Sequence, residues 1–346
     1  MADYTTINKS TLYQNQLIWD GTGATNARTG LGFQPDLAWG KERSSTSGSI
    51  IQDSVQGLSV YLASNSDSGT NPTSVQFTSF DSDGFTLGTS TGINQSGQTN
   101  VGWAWKADNT SGSSNTDGSI TSTVAVNSTS KFSIVKWSGS GATATIGHGL
   151  GVVPQCIIVK SLSGSGSWIV YHESMGATKN LILDASNAAA TVSTMWNDTS
   201  PTSSVFTVGS NSATNGSGVD LIAYCWADVQ GFQKMSRYIG NGSTNGTFVY
   251  TGFKPTLVIV KKSSDSDGWW QMEDNTRDPY NPASHALFAN VVDAEYTGSN
   301  YYVDYLSNGF KIRSTNAGIG TSGGDYIYLA WGQTLVGTNN IVATAR

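Results

Sequence analysis

Three stretches of the sequence hold side chains that could act as acid and base in catalysis. His172-Glu173 is the first, and the matching places in two repeats of the same local pattern are Asp53-Ser54 and Glu273-Asp274. Paired carboxylates are what a glycoside hydrolase needs, because one donates a proton while the other acts as base or nucleophile. No carboxylate pair is kept at all three places. We therefore expect exposed polar strand ends, a protein that is not an enzyme and has no catalytic residues, and no cofactor.

A turn at residues 81–84 places Asp81 and Asp83 close together, which is how a Ca²⁺ ion would need its oxygen ligands. The matching positions carry no carboxylate in the two other copies, where they are Thr202 and Ser204, and Leu306 and Asn308. A structural turn explains all three copies without a cation. The histidines are too few and too scattered for a metal cluster: His148, His172 and His285. We predict no metal site.

Two pairs of adjacent aromatic residues are candidates for contacting a ligand. Trp269 and Trp270, and Tyr301 and Tyr302, offer flat rings on which a sugar can stack while Asn and Ser side chains bind its hydroxyl groups. Successive residues of a strand point to opposite faces, so one member of each pair is expected in the core. The sequence leaves both interpretations open for these four residues.

The elements that would position these side chains recur three times. A Ser-Gly turn leads into a strand in which Val101, Trp103 and Trp105 alternate with Gly102 and Ala104. The turn serine and the closing tryptophan are nine residues apart in each copy: Ser96 and Trp105, Ser217 and Trp226, and Ser322 and Trp331. A proline and a strand-ending lysine are six residues apart in each copy: Pro35 and Lys41, Pro154 and Lys160, and Pro255 and Lys261. Landmarks kept at fixed spacing predict a threefold repeat, in which the three tryptophans anchor the cores of three related sandwiches.

Composition favours an all-β protein with many tight turns. Charged residues make up only 12% of the chain and glycine contributes 40 of 346 residues. Disorder does not fit, because 11 Trp, 14 Tyr and 11 Phe supply large apolar side chains. We predict tandem antiparallel β-sandwich units, jelly-roll or lectin-like, in three related repeats.

The landmarks divide the chain into three units with connecting segments. Asp108 to Asp117 contains no aliphatic or aromatic side chain beyond threonine methyls, and is predicted to be a flexible linker. The predicted segments are an N-terminal arm (1–16), unit 1 (17–107), a linker with a lead-in strand (108–131), unit 2 (132–228), unit 3 (232–332) and a C-terminal tail (333–346).

Several classes of function are disfavoured by charge and hydropathy. The net charge is −6 and no cluster of Lys and Arg occurs, so we expect no nucleic-acid partner. No apolar run approaches the ~18 residues of a membrane span, and the first ten residues lack the apolar centre of a secretion signal. We expect no membrane insertion. Cys156 and Cys225 replace Leu or Ala of the other copies, so we predict two small buried apolar residues.

Several motifs carry a resemblance to a known group of proteins. Residues 32–37 (GFQPDL), 80–88 (FDSDGFTLG), 94–97 (NQSG) and 103–106 (WAWK) resemble an uncharacterised tandem β-domain family. That family occurs in virion structural and tail-fibre-like proteins of bacteriophages, especially phages of cyanobacteria and other marine bacteria. Residues 147–151 (GHGLG) and 278–280 (DPY) extend the likeness over most of 17–332. The resemblance implies a virion component and brings no catalytic residues with it.

The favoured hypothesis is a non-enzymatic bacteriophage structural protein on the particle surface, as a tail fibre, an appendage or a capsid decoration, with a contribution to host attachment. Its expected location is the virion. Its expected partners are other virion proteins, further copies of itself and a host-surface glycan. A carbohydrate-binding adhesin and a glycan hydrolase or depolymerase are the alternatives.

Overall fold

The computed structural model describes residues 5–7 and 9–334, which form an all-β protein of antiparallel sheets. This confirms the predicted fold class. Parts of the predicted N-terminal arm (1–4 and 8) and of the C-terminal tail (335–346) lie outside the described residues. The rest of the arm packs against the body: Ile7 is buried in a central apolar cluster, and the first strand already begins at Gln14.

Unit 1 is a four-stranded sheet facing a three-stranded one, with orders β1-β9-β3-β4 and β2-β8-β7. Strands β5 and β6 form a separate pair. A 3₁₀ turn, η1 (Ser10–Leu12), comes before β1. The strands are β1 (Gln14–Asp20), β2 (Asn26–Thr29), β3 (Leu37–Glu42), β4 (Ile50–Asp53), β5 (Val60–Tyr61), β6 (Asn71–Pro72), β7 (Phe77–Asp81), β8 (Gly84–Leu87) and β9 (Thr99–Trp105).

Unit 2 repeats the larger sheet with more strands and reduces the smaller one to two. Its strands are β10 (Ser113–Asn115), β11 (Ser122–Asn127), β12 (Phe132–Ser138), β13 (Ala144–Gly147), β14 (Cys156–Ser161), β15 (Ile169–His172), β16 (Lys179–Ile182), β17 (Ala190–Thr191), β18 (Val205–Val208) and β19 (Asp220–Trp226). The larger sheet has the order β10-β11-β12-β19-β14-β15-β16-β17, and β13 pairs with β18. The short helical turns are η2 (Glu173–Met175), α1 (Ser193–Trp196) and α2 (Ser212–Asn215). Part of the segment predicted as a flexible linker is therefore a strand, since β10 pairs with β11.

Unit 3 has a six-stranded sheet in the order β20-β28-β22-β23-β24-β25 and a three-stranded sheet in the order β21-β27-β26. Its 3₁₀ turn is η3 (Ser299–Tyr301). The strands are β20 (Gln233–Ile239), β21 (Phe248–Tyr250), β22 (Phe253–Lys262), β23 (Gln271–Asp274), β24 (His285–Phe288), β25 (Tyr296–Thr297), β26 (Val303–Leu306), β27 (Gly309–Ile312) and β28 (Asp325–Thr334).

The alternation of large and small residues in β9 serves two different cores. Gly102 and Ala104 face the inside of the unit 1 sandwich, where a Cβ at Gly102 would lie 3.0 Å from the indole of Trp19. Val101, Trp103 and Trp105 face the other way, into an apolar cluster that contains residues of all three units. We call this cluster the shared core. Each unit therefore buries both faces of its larger sheet, one in its own sandwich and one in the shared core.

The three closing tryptophans meet in the shared core. Ring centroids are 6.0 Å apart for Trp105 and Trp226, 5.3 Å for Trp105 and Trp331, and 5.8 Å for Trp226 and Trp331. All three contacts are edge-to-face, with interplanar angles of 67°, 68° and 70°, an arrangement that aromatic rings favour. The expectation that each tryptophan anchors its own sandwich is thus wrong. Together they join the three units in an approximately threefold arrangement.

Candidate functional site

The polar strand ends proposed for acid–base chemistry are buried at Asp53, His172, Glu273 and Asp274, whereas Glu173 is exposed in η2 and Ser54 is partly exposed. Strand pairing places Asp53, His172 and Asp274 opposite Leu37, Cys156 and Leu257, so these three are the matching positions, and Glu273 is offset by one residue. All three side chains are inaccessible to solvent. For Asp53, His172 and Asp274 the prediction of exposed strand ends is wrong, because β4, β15 and β23 are each covered by a neighbouring unit.

Each of these three side chains contacts the closing strand of the next unit. The Tyr224 hydroxyl of unit 2 donates to Asp53 Oδ2 of unit 1 at 2.9 Å. The Trp103 indole of unit 1 donates to Asp274 Oδ2 of unit 3 at 3.0 Å. His172 Nε2 of unit 2 lies 3.4 Å from the Tyr328 carbonyl oxygen of unit 3. The contacts run from unit 1 to 2, from 2 to 3 and from 3 back to 1, so they close a ring around the shared core.

Burial sets the protonation state of the side chains that form this ring of contacts. It lowers the pKa of His172 to about 4, so the imidazole is neutral at neutral pH. Its Nδ1 accepts from the Ser174 backbone N–H, which leaves Nε2 to donate to the Tyr328 carbonyl. Burial raises the pKa of Asp53, although hydrogen bonds from Gln56 and Tyr224 act in the opposite direction. These groups are inaccessible to solvent and are occupied in holding units together.

A buried network of ions reinforces the junction between units 1 and 3. The Arg277 guanidinium is fully buried and pairs with Asp274 at 2.6 Å and with Glu295 at 2.8 Å. Arg43 of unit 1 binds the same Glu295 through two hydrogen bonds of 2.9 and 2.7 Å. Burial alone would raise the pKa of Glu295, but Arg43 and Arg277 hold it below its usual range. The Arg277 side chain also lies over the Trp103 ring, 5.6 Å from its centroid.

Glu273 stands apart from this network. Its side chain is buried within unit 3, and Gln271 donates to its Oε1 at 2.5 Å. Burial raises the pKa of Glu273 well above its ordinary value, with the charge of Arg277 acting in the opposite direction. A carboxyl group enclosed in this way is inaccessible to a glycan chain.

The carboxylates of the 81–84 turn bind the protein itself. Asp83 accepts from the backbone N–H groups of Gly30 at 3.1 Å and Gly32 at 2.6 Å, and Asp81 accepts from the Thr86 hydroxyl at 2.7 Å. Within residues 5–7 and 9–334, no three His, Cys, Asp or Glu side chains are grouped as a metal ion would need them.

The histidines are dispersed through the fold. His148 is buried and accepts from the Leu150 backbone N–H at 3.2 Å, and burial lowers its pKa. His285 lies beside Asp278, with 2.5 Å between Nδ1 and the carboxylate. Cys156 and Cys225 are free, buried thiols, as predicted, and burial raises the pKa of both.

The four candidate aromatic residues separate into different environments. Trp270 is 1% exposed and belongs to the shared core, where it donates its indole N–H to the Ile182 carbonyl of unit 2 at 2.8 Å. Its ring is therefore not accessible to a ligand. Trp269 is 39% exposed and packs edge-on against Phe288 at 4.9 Å. Tyr301 packs against the same Phe288 at 5.1 Å. Tyr302 lines a cavity.

That cavity is a groove of about 650 Å³ on the outer side of unit 3, between η3, β26 and the loop after β27. We call it the unit 3 groove. Tyr302 lies in it with Asn300, Asp304, Arg313 and Asn316. Arg313 and Asp304 form an ion pair of 3.5 Å at its edge. Asp304 and Arg313 are not among the candidates predicted from the sequence. Asp304 lies in β26 and Arg313 follows β27, and an Asp and an Arg placed in this way form no recognisable sequence motif.

Three equivalent lysines at the ends of the central strands are also buried. Lys160 donates to the Asp67 carbonyl of unit 1 at 2.8 Å, and Lys261 donates to the Ser186 carbonyl of unit 2 at 3.0 Å. Lys41 occupies the same position in unit 1. Burial lowers the pKa of each ammonium from 10.5 to about 8. The fixed Pro-to-Lys spacing in the sequence thus marks buried lysines, two of which donate to a carbonyl oxygen of the preceding unit.

The buried lysines predict a stability that depends on pH. Because the folded pKa of Lys160 is about 8 and the unfolded one 10.5, the unfolded chain binds more protons between these values, and stability rises with pH. Lys160→Met removes this contribution. Urea titrations at about pH 7 and about pH 9.5 should show wild type gaining stability relative to Lys160→Met as the pH rises. Lys136→Met removes a partly exposed lysine of β12 and is the control. Wild type should gain no stability relative to Lys136→Met over the same pH range, and an equal relative gain against both variants would contradict the prediction.

The described residues form an all-β protein of three sandwich units closed around one core. The chain belongs to the family described as "Domain of unknown function (DUF7483)", whose model matches residues 9–334. The match spans all three units, which agrees with their sharing one core. Searches of curated proteins and of solved structures give no match. Within residues 5–7 and 9–334, no helix has the length and apolar character needed to cross a membrane.

Proposed function

We propose that the chain is a non-enzymatic structural protein exposed on the surface of a bacteriophage particle, as a fibre, an appendage or a capsid decoration, and that it contributes to host attachment. The observation that carries the non-enzymatic part is the ring of inter-unit contacts. Asp53, His172 and Asp274, the side chains best suited to acid–base chemistry, are buried and occupied in joining the units. The sequence resemblance to virion proteins supports the location.

A body of this construction suits a particle surface. Each sandwich buries both faces of its larger sheet, so local opening would expose apolar surface and is therefore costly. Loss of one unit would expose the shared core. The exposed loops are rich in Ser, Thr, Asn and Gly, with few charges. Such a surface stays hydrated without strong electrostatic attraction to other molecules.

Immunogold labelling and mass spectrometry of purified virions test the location. The phage that encodes the chain should carry it at a fixed copy number per particle, and gold should label either the head or the tail. A non-structural protein of the same phage, such as a replication enzyme, is the control for carry-over from the lysate. Absence from washed particles would rule out the structural role.

A carbohydrate-binding adhesin is the second candidate, favoured by the unit 3 groove with Tyr302 in its wall. A depolymerase differs from both candidates in releasing reducing ends. Incubation of the purified protein with host envelope polysaccharide should release none, and release above a heat-treated control would overturn the non-enzymatic assignment.

A further inference from the structure

We infer that the unit 3 groove binds a short, neutral saccharide. This inference rests on the host-attachment part of the proposed function and gives it a site and a ligand class. The volume of about 650 Å³ lies within the ~300–1,000 Å³ typical of small-molecule sites. Polar groups and one aromatic ring line it together, which matches a ligand that has an apolar C–H face and a rim of hydroxyl groups.

The walls of the groove are held by the protein's own hydrogen bonds. The Ser314 hydroxyl donates to the Asn300 carbonyl at 2.6 Å and accepts from the Asn316 backbone N–H at 3.0 Å. The Arg313 backbone N–H donates to the Tyr302 carbonyl at 2.8 Å. Asn316 Oδ1 accepts from the Gly318 N–H at 2.8 Å, which orients its amide. A groove fixed before binding loses less conformational entropy when a ligand enters.

The charges of the groove favour a neutral ligand. Asp304 and Arg313 are its charged residues and pair with each other at 3.5 Å, so the site carries no net charge. An acidic sugar would meet the Asp304 carboxylate, and an amino sugar would meet the Arg313 guanidinium. Hydroxyl groups both donate and accept, so a neutral sugar can bind the carboxylate and the guanidinium at once.

The other two units differ from unit 3 at this place. Strand pairing aligns Phe77 of unit 1 with Val303 of unit 3, so Gln76 occupies the position of Tyr302. Gln76 accepts a hydrogen bond from Ser90, so a side-chain bridge stands where unit 3 has its aromatic wall. In unit 2 the smaller sheet is reduced to β13 and β18. A structural role common to the repeat would be kept in all three units, whereas the groove depends on residues specific to unit 3.

An array of neutral and acidic oligosaccharides, probed with the purified full-length protein, identifies the ligand class, and calorimetric titration with the best-binding neutral oligosaccharide measures affinity. We expect neutral glycans to bind. Tyr302→Ala should weaken binding about tenfold or more, because an aromatic stacking partner is lost. Tyr250→Ala is the matched control, since Tyr250 is 57% exposed on the same small sheet but outside the groove. It should bind as wild type does.

Asp304→Asn keeps the size of the side chain and removes its charge, so it tests the site even if Tyr302→Ala is unstable. It should also weaken binding, with an unchanged melting temperature. A blank array, binding of acidic glycans only, or unchanged affinity in both groove variants would each overturn the inference. The location of the protein on the virion is measured separately on particles, so the inference and the proposed function can fail independently.

Discussion

Replacing Arg277 by methionine is expected to lower the free energy of unfolding by about 3–5 kcal/mol. The guanidinium is fully buried and neutralises two carboxylates, Asp274 and Glu295. Glu295 keeps Arg43 as a partner, but Asp274 would keep only neutral hydrogen-bond donors, including the Trp103 indole. A buried carboxylate left without its cation is far more costly than a broken ion pair at the surface. Chemical denaturation at neutral pH measures the loss.

Two further variants separate charge from packing. Arg237→Met breaks an exposed pair with Asp325, 3.1 Å apart, and should cost less than about 1 kcal/mol. Adding Asp274→Asn to Arg277→Met removes the buried, unpaired charge. The double variant should therefore lose less free energy of unfolding than the two single variants lose in sum. If Arg277→Met costs no more than Arg237→Met, the buried network does not hold units 1 and 3 together.

The repeated landmarks predicted the three units because β-strand periodicity and turn chemistry are local properties. The spacing from turn serine to tryptophan, and from proline to lysine, follows from strand length alone. The alternation of Trp103 and Trp105 with Gly102 and Ala104 also showed that β9 has one large and one small face. Which neighbour covers each face is a tertiary property, and the sequence pattern is the same whether the large face lies in one sandwich or in a core shared by three.

The same limit explains the errors at the candidate site. Polar residues at strand ends are ordinarily exposed, and nothing near Asp53 or Asp274 in the sequence shows that a tyrosine or tryptophan of another unit will reach them. Arg277 and Glu295 are 18 residues apart and pair through folding of unit 3. A lysine at the same offset in all three apolar strands was a usable signal, because a charge kept on a buried strand has to find carbonyl oxygens nearby.

The groove shows where sequence reasoning about function succeeded in part. Tyr301 ends the 3₁₀ turn η3 and Tyr302 follows it, so this pair does not lie on a strand as the sequence reasoning assumed, but the two rings still separate: Tyr301 packs on Phe288 and Tyr302 lines the groove. Trp269 and Trp270 divide in the same way, into an exposed and a buried ring. Sequence reasoning thus separated the two members of each pair, but neither pair lies on a strand, and only the fold shows which ring has polar groups around it.

Replacing Trp331 by alanine is expected to destabilise all three units together, by about 3–5 kcal/mol. Its ring is fully buried and contacts both Trp105 and Trp226, so its loss opens a cavity where the units meet. Because the units share this core, unfolding should remain a single transition at a lower temperature. Native-state hydrogen exchange should speed up in the closing strands of units 1 and 2 as well as in unit 3.

Two variants of the same residue type make the test specific. Trp269→Ala removes a tryptophan that is 39% exposed and outside the shared core, and should cost far less. Trp331→Phe keeps an aromatic ring and removes an indole N–H that has no hydrogen-bond partner within the described residues, so it should recover more than half of the stability lost in Trp331→Ala. Faster exchange confined to unit 3 would show that the units unfold independently. In that case the contact of the three tryptophans would not couple them, and the shared core would be three adjacent cores.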